Sequence, residues 1–216
     1  MAKLRVHNIS LSLDGYAAGP NQGADQPLGE GASGLHEWAF ATKSFRDTHG
    51  LDGGAEGLDD RFAAQGDTGI GATIMGRNMF GPVRGPWGDE NWRGWWGEEP
   101  PFHHPVFVLT HHRHPAIAMA GGTTFHFVDD GIESALERAV DAADGEDVRL
   151  GGGAATIQQY LAAGLIDEMH LAIVPVLLRR GERLFDHLDG GPVGYECVEF
   201  AGSTSVMHVR FARTAP

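Results

Sequence analysis

The segment Leu150-Gly151-Gly152-Gly153-Ala154-Ala155-Thr156 decides the fold. It follows the short apolar run Asp147-Val148-Arg149-Leu150, which reads as a strand. It precedes a helix that begins near Ala154, carries Ile157, Tyr160 and Leu161 on one face, and stops at Gly164. Glycines at a strand-to-helix corner permit positive φ and close approach of a ligand to the backbone. The helix start adds open N–H groups and the positive end of the dipole, which suit a phosphate. With 32 glycines in the chain, a triplet is also compatible with a plain tight turn, so its meaning depends on the segments around it.

Upstream, residues 4–13 read as a first strand that ends at Asp14-Gly15. Residues 19–34 are loop, residues 35–47 a helix, 48–58 a Gly-rich loop, and Asp59 to Gln65 a short helix. Ala72-Thr73-Ile74-Met75 is a buried strand leading into Gly76-Arg77-Asn78. Val106 to Thr110 and Thr124 to Val128 are further strands. Asp129 and Asp130 are placed to cap the next helix, which shows Ile132, Ala135, Leu136, Ala139, Val140 and Ala143 at helical spacing. Residues 169–174 form a strand, and 195–200 with 205–212 a terminal hairpin turned at Gly202-Ser203. Strands alternate with helices through the middle. The fold class is therefore α/β, layered, with a central mostly parallel sheet and an antiparallel C-terminal hairpin. With no internal repeat and no linker, 1–216 reads as a single domain.

Composition excludes several roles. The net charge of −13 opposes general nucleic-acid binding and docking on an anionic membrane. No run approaches the ~20 apolar residues of a membrane span. The single cysteine, Cys197, cannot form an intramolecular disulfide, and the N-terminus lacks a signal-peptide core. The expectation is a cytoplasmic protein acting on a small-molecule substrate. The histidines at 103, 104, 111, 112 and 114 lack the spacing of a metal site, so no metal is expected.

Ser12-Leu13-Asp14-Gly15, Met75-Gly76-Arg77, Val108-Leu109-Thr110 and Leu150-Gly151-Gly152-Gly153, in that order, resemble the dihydrofolate reductase-like family, a three-layer fold. Within it the chain is most similar to the riboflavin-biosynthesis branch. That branch comprises the C-terminal reductase domain of the bifunctional deaminase-reductase and its stand-alone relatives. Gly181-Glu182-Arg183-Leu184-Phe185 is similar to a Gly-x-x-Leu-Phe segment of that branch. The likeness runs from about Lys3 to Phe211.

The resemblance implies NADPH binding and hydride transfer to a small heterocyclic or carbonyl-like substrate, of the riboflavin-pathway aminopyrimidine type. It places Gly76, Arg77 and Asn78 on the phosphates, with Arg77 on the 2′-phosphate. It places Leu109, Thr110 and His111 along the adenosine, and Gly151, Gly152, Gly153, Ala154, Ala155 and Thr156 around the pyrophosphate. It also implies a cis bond at Gly151–Gly152 and a homodimer. Asp14, at a strand end facing the sheet's carboxyl edge, is the candidate catalytic residue, against the reading of an Asp-Gly turn. Glu37, Trp38 and Trp92 are candidate substrate contacts. The cluster Trp87, Trp92, Trp95 and Trp96 reads either as an aromatic lid or as an anchor or dimer surface. Glu37 is out of register with the acid of pterin reductases. A pterin reductase and a non-catalytic nucleotide-binding protein on the same scaffold are the alternatives.

Overall fold

The computed structural model describes residues 2–82, 84–88, 91–188 and 194–214. Strand β1 (Leu4–Ser12) shows how its pattern becomes geometry. Leu4, Val6, Ile9 and Leu11 all join one core cluster, although strict alternation would part the first pair from the second. Asn8, at φ +58°, is an extra residue against β8 (Glu168–Val174), and this bulge brings the four onto one face. Asn tolerates that conformation, and its Nδ2 donates to the Ala63 carbonyl at 3.1 Å.

The remaining strands are β2 (Tyr16–Ala18), β3 (Ile70–Gly76), β4 (Pro105–Leu109), β5 (Ile117–Ala118) and β6 (Thr124–Val128). They are followed by β7 (Asp147–Leu150), β9 (Glu182–Arg183), β10 (Tyr195–Gly202) and β11 (Met207–Arg213). Among the described residues the main sheet has nine strands in the order β10-β11-β8-β1-β7-β3-β4-β6-β5. The run from β8 to β6 is parallel. Strands β11, β10 and β5 are antiparallel to their neighbours. Strands β2 and β9 form a separate small pair. The mostly parallel sheet and antiparallel C-terminal hairpin agree with the sequence reading.

Helices α5 (Ile132–Ala142) and α6 (Ala154–Ala162) cover one face. Ala135 and Ala139, four apart, press that face of α5 onto Ile74 and Val148, and Ile157 and Tyr160 do the same for α6. The Tyr160 hydroxyl donates to the Ile132 carbonyl at 2.8 Å and ties the two helices together. Gly164, at φ +65°, ends α6. The opposite face carries α1 (Glu37–Phe40), α2 (Lys43–Thr48) and α3 (Leu58–Gln65) at one end and the Trp-bearing segment at the other. Short α4 (Arg77–Phe80) follows β3. Among the described residues no helix is long and apolar enough to cross a membrane.

Two expectations are corrected. The helix read over 35–47 is broken at Thr42, whose extended backbone and side-chain bond to the Phe45 N–H start a separate α2. Asp129 and Asp130 do not cap α5. Gly131 takes that position, while the two carboxylates pair with Arg113 and Arg138. Strands β5 and β9, two residues each, are too short to show a period in sequence.

Between α3 and the sheet lies a buried histidine network. Phe62 stacks on His170 and His208 at centroid distances of 4.9 and 4.1 Å. His170 Nε2 and His208 Nδ1 are 3.0 Å apart, and His208 Nε2 lies 3.0 Å from Asp59 Oδ1. Neighbouring His7 is 5% exposed and, among the described residues, neither ring nitrogen has a partner. Burial lowers His170 to about 2 and His7 to about 3, with nearby positive groups adding to the effect.

The unfolded chain protonates these rings below about pH 6.5, while the folded chain keeps them neutral. It therefore binds more protons than the folded chain in that range. The stability these rings contribute is complete above about pH 6.5 and declines as pH falls toward the folded values, by at most ~1.4 kcal/mol per pH unit for each ring. The urea midpoint is expected to be flat above about pH 7 and to fall below about pH 6.5. His7→Leu replaces an unpartnered ring with an apolar side chain, so it should flatten that slope. An unaltered slope in His7→Leu would show that His7 does not contribute.

Candidate active site

The carboxyl ends of β3 and β7 are locked together. Gly151 N–H donates to the Ile74 carbonyl at 2.8 Å, and Gly76 N–H donates to the Gly152 carbonyl at 2.7 Å. Gly152 has φ +121°, a conformation that favours glycine. A Cβ on Gly76 would stand 2.3 Å from Thr156 Oγ1, so the glycine lets the head of α6 seat against the end of β3. The cis bond lies at Gly152–Gly153, one bond later than expected. Gly153 precedes α6 and offers no side-chain cap, and a Cβ there would meet nothing within 4 Å.

This corner opens on a cavity of about 520 Å³. Gly76, Arg77 and Asn78 form one wall, Leu109, Thr110 and His111 the second, and Gly153, Ala155 and Thr156 the third. Of the remaining residues placed here from sequence, Gly151 and Gly152 act from behind as the backbone lock, and Ala154 is 3% exposed in the core.

Arg77 has a distinctive setting. Its guanidinium carbon lies 3.2 Å over the Trp87 ring, and its Nη1 reaches the Gly85 carbonyl at 3.3 Å and Thr110 Oγ1 at 3.4 Å. Among the described residues it has only these neutral acceptors and no carboxylate. Trp87 is held in turn by its Nε1 donating to the His112 carbonyl at 3.0 Å.

The tryptophans are anchors. Trp87, Trp92 and Trp96 pack on Met75, Phe80, Val108 and Phe125, and Trp92 Nε1 donates to the Phe80 carbonyl at 3.0 Å. Trp92 lines neither this cavity nor the one bordered by Glu37 and Trp38, its indole N–H being spent on the Phe80 carbonyl.

Glu37 and Trp38 border a second cavity, of about 660 Å³, between the N-terminal helices and the end of β8. It shares no lining residue with the first. Trp38 is 4% exposed with its Nε1 on Ser10 Oγ at 2.9 Å, so it forms a wall with its polar atom already used. These two residues are therefore not brought to the glycine triplet.

Asp14 is held by its own hydrogen bonds at the end of β1. Its Oδ1 accepts from Ser12 Oγ at 2.6 Å and from the Leu178 N–H at 3.1 Å, and its Oδ2 from the Arg179 N–H at 2.8 Å. The Ser12 hydroxyl, then the amides of Arg179 and Leu178, hold its carboxyl down at about 2. It lines neither cavity. Asp14 latches the end of β1 to the segment after β8.

Sequence reading missed Arg84, Gln159 and Glu182, which line the first cavity, and took Asp129 there for a helix cap. Asp129 had a usable signal. It follows Val128 at the carboxyl end of a parallel strand, where such sheets place ligands.

Residues 6–193 match the RibD C-terminal domain, and the chain belongs to that family, one of reductase domains. No curated protein sequence matches the chain. Among solved structures it is similar to a candidate riboflavin biosynthesis protein from Shewanella sp. PV-4, with a TM-score of 0.60, 21% identity and 100% of both chains covered. It is also similar to a pyrimidine reductase-like protein from Corynebacterium diphtheriae, with a TM-score of 0.54, 14% identity, and 100% of this chain and 93% of that one covered. At such identities the two structures establish the fold.

Asp14→Ala removes an acceptor shared by two backbone amides and leaves the first cavity intact. The expected result is a lower melting temperature with turnover retained by the protein that remains folded. An unaltered melting temperature with lost turnover would return Asp14 to the chemistry.

Proposed function

We propose that this member of the RibD C-terminal domain family binds NADPH in the 520 Å³ cavity and reduces a ribosylated aminopyrimidine, as in riboflavin biosynthesis. The observation that carries this reading is Arg77. A partly buried guanidinium braced on an indole, with only neutral acceptors among the described residues, faces the same cavity as the uncapped head of the nine-residue α6. Both features favour phosphate. The open space at Gly153 supports the fit, because a backbone without a side chain admits a pyrophosphate closely.

When bound, the cofactor supplies hydride from its dihydronicotinamide. The protein's part is to hold and orient. Gly153, Ala155 and Thr156 take the pyrophosphate; Arg77, Asn78, Thr110 and His111 take the adenosine end with its 2′-phosphate. Arg84, exposed at the rim, is paired with Glu182 and so offsets the charge of that carboxylate. Both carboxylates of the cavity are paired with arginines and Asp14 is latched elsewhere, so solvent supplies the proton. The position of Glu37 in the other cavity speaks against a pterin reductase.

The reading also includes a homodimer in the cytoplasm. Trp87, Trp92 and Trp96 pack inward and do not carry the pairing. The support comes from β10, the last strand of the sheet, which exposes Val198 by 50% and Phe200 by 68%. Light scattering should give about twice the 23.1 kDa chain mass, reduced to one chain in Phe200→Glu. A wild-type mass of one chain would remove the dimer.

Arg77→Ala should weaken NADPH binding by roughly tenfold to a hundredfold, the loss of ~1.5–3 kcal/mol for a hydrogen bond to a charged group. NADH should be affected much less. Titration of both dinucleotides measures this, and equal affinities in the wild type would count against the assignment of Arg77 to the 2′-phosphate.

A further inference from the structure

Two carboxylates line a cavity whose other features favour an anion: Asp129 and Glu182. Asp129 stands close to the phosphate-selecting group. The Thr110 N–H donates to the Val128 carbonyl at 3.0 Å, which sets the residue after Val128 beside Thr110. Thr110 Oγ1 is in turn 3.4 Å from Arg77 Nη1. A negative charge here opposes a phosphate. It also suits a ribose with both hydroxyls free, because a carboxylate accepts from two O–H groups.

Asp129 does not stand alone. Arg113, on the loop after β4, donates from Nε to Asp129 Oδ2 at 2.7 Å. The Arg113 side chain is 90% exposed and the Asp129 side chain 31%. So exposed an ion pair adds little to folding. Its placement at the mouth of the cavity gives it a different consequence.

We propose that the Asp129–Arg113 pair sets the choice between phosphorylated and unphosphorylated dinucleotide. Paired, Arg113 cancels the Asp129 charge and leaves selection to Arg77. Unpaired, Asp129 accepts from the ribose hydroxyls and repels a 2′-phosphate. The inference rests on the dinucleotide reading of this cavity.

The test is equilibrium binding of NADPH and of NADH, read by tryptophan fluorescence and by thermal shift, at low ionic strength. Arg113→Ala should lower the NADPH-to-NADH affinity ratio about three- to tenfold, and Asp129→Asn should raise it by a similar factor. The double variant should lie between the two. Added salt should shrink both effects, since the charges are exposed. A ratio unchanged in both single variants overturns the proposal while leaving the cavity assignment standing. Failure of the wild type to bind either dinucleotide overturns both.

Discussion

The close approach of Gly76 to Thr156 is the constraint on which the site depends. With no side chain at 76, the end of β3 meets the head of α6, and the amide of Gly76 reaches the Gly152 carbonyl. That contact makes one corner out of two strand ends and a helix start. It puts Arg77, the next residue, on the cavity that α6 opens onto. A Cβ at 76 would have to displace Thr156 or part the strands. The dipole end and the guanidinium would then no longer address the same space. The walls from β4 and β6 follow from ordinary parallel pairing beyond this corner.

What the sequence revealed depended on how locally each feature was determined. Strands β3, β4, β6 and β7 and helices α5 and α6 were legible because each is an apolar run or helical period bounded by its own turn residues. The helix over 35–47 was misread because a single capping threonine outweighs a weak periodicity. The three cavity walls were legible through family resemblance, since their residues lie within short motifs. The bonding of Asp14 was not legible, for the opposite reason. Its partners, the amides of Leu178 and Arg179, come from a segment over 160 residues away, and nothing near Asp14 announces them. That Glu37 and Trp38 border a different cavity from the glycine triplet was not legible, because sequence proximity does not say which side of a sheet a helix occupies.

The electrostatics reconcile an acidic chain with the anion site proposed for it. A net charge of −13 would discourage a phosphate at long range. Close in, Arg77 keeps its charge toward the cavity while Asp129 and Glu182 are each met by an arginine from a neighbouring loop. The sign of the site is thus set over a few ångströms by pairing, and salt at physiological strength screens the rest.

The bulge at Asn8 has a consequence for how chains of this shape can vary in length. Leu4, Val6, Ile9 and Leu11 face the core only because one residue is surplus to the pairing with β8. Removing that residue would leave an unbroken alternation and the same four side chains inward. Lost instead would be the Asn8 bond to the Ala63 carbonyl, which fastens α3 to the sheet, and its bond to the His170 ring on β8. A deletion there is therefore neutral to the barycentre of the core and costly to the attachment of the N-terminal helices. Strand length and helix docking are coupled at one position. In a shortened relative, the missing residue and a displaced α3 should be found together.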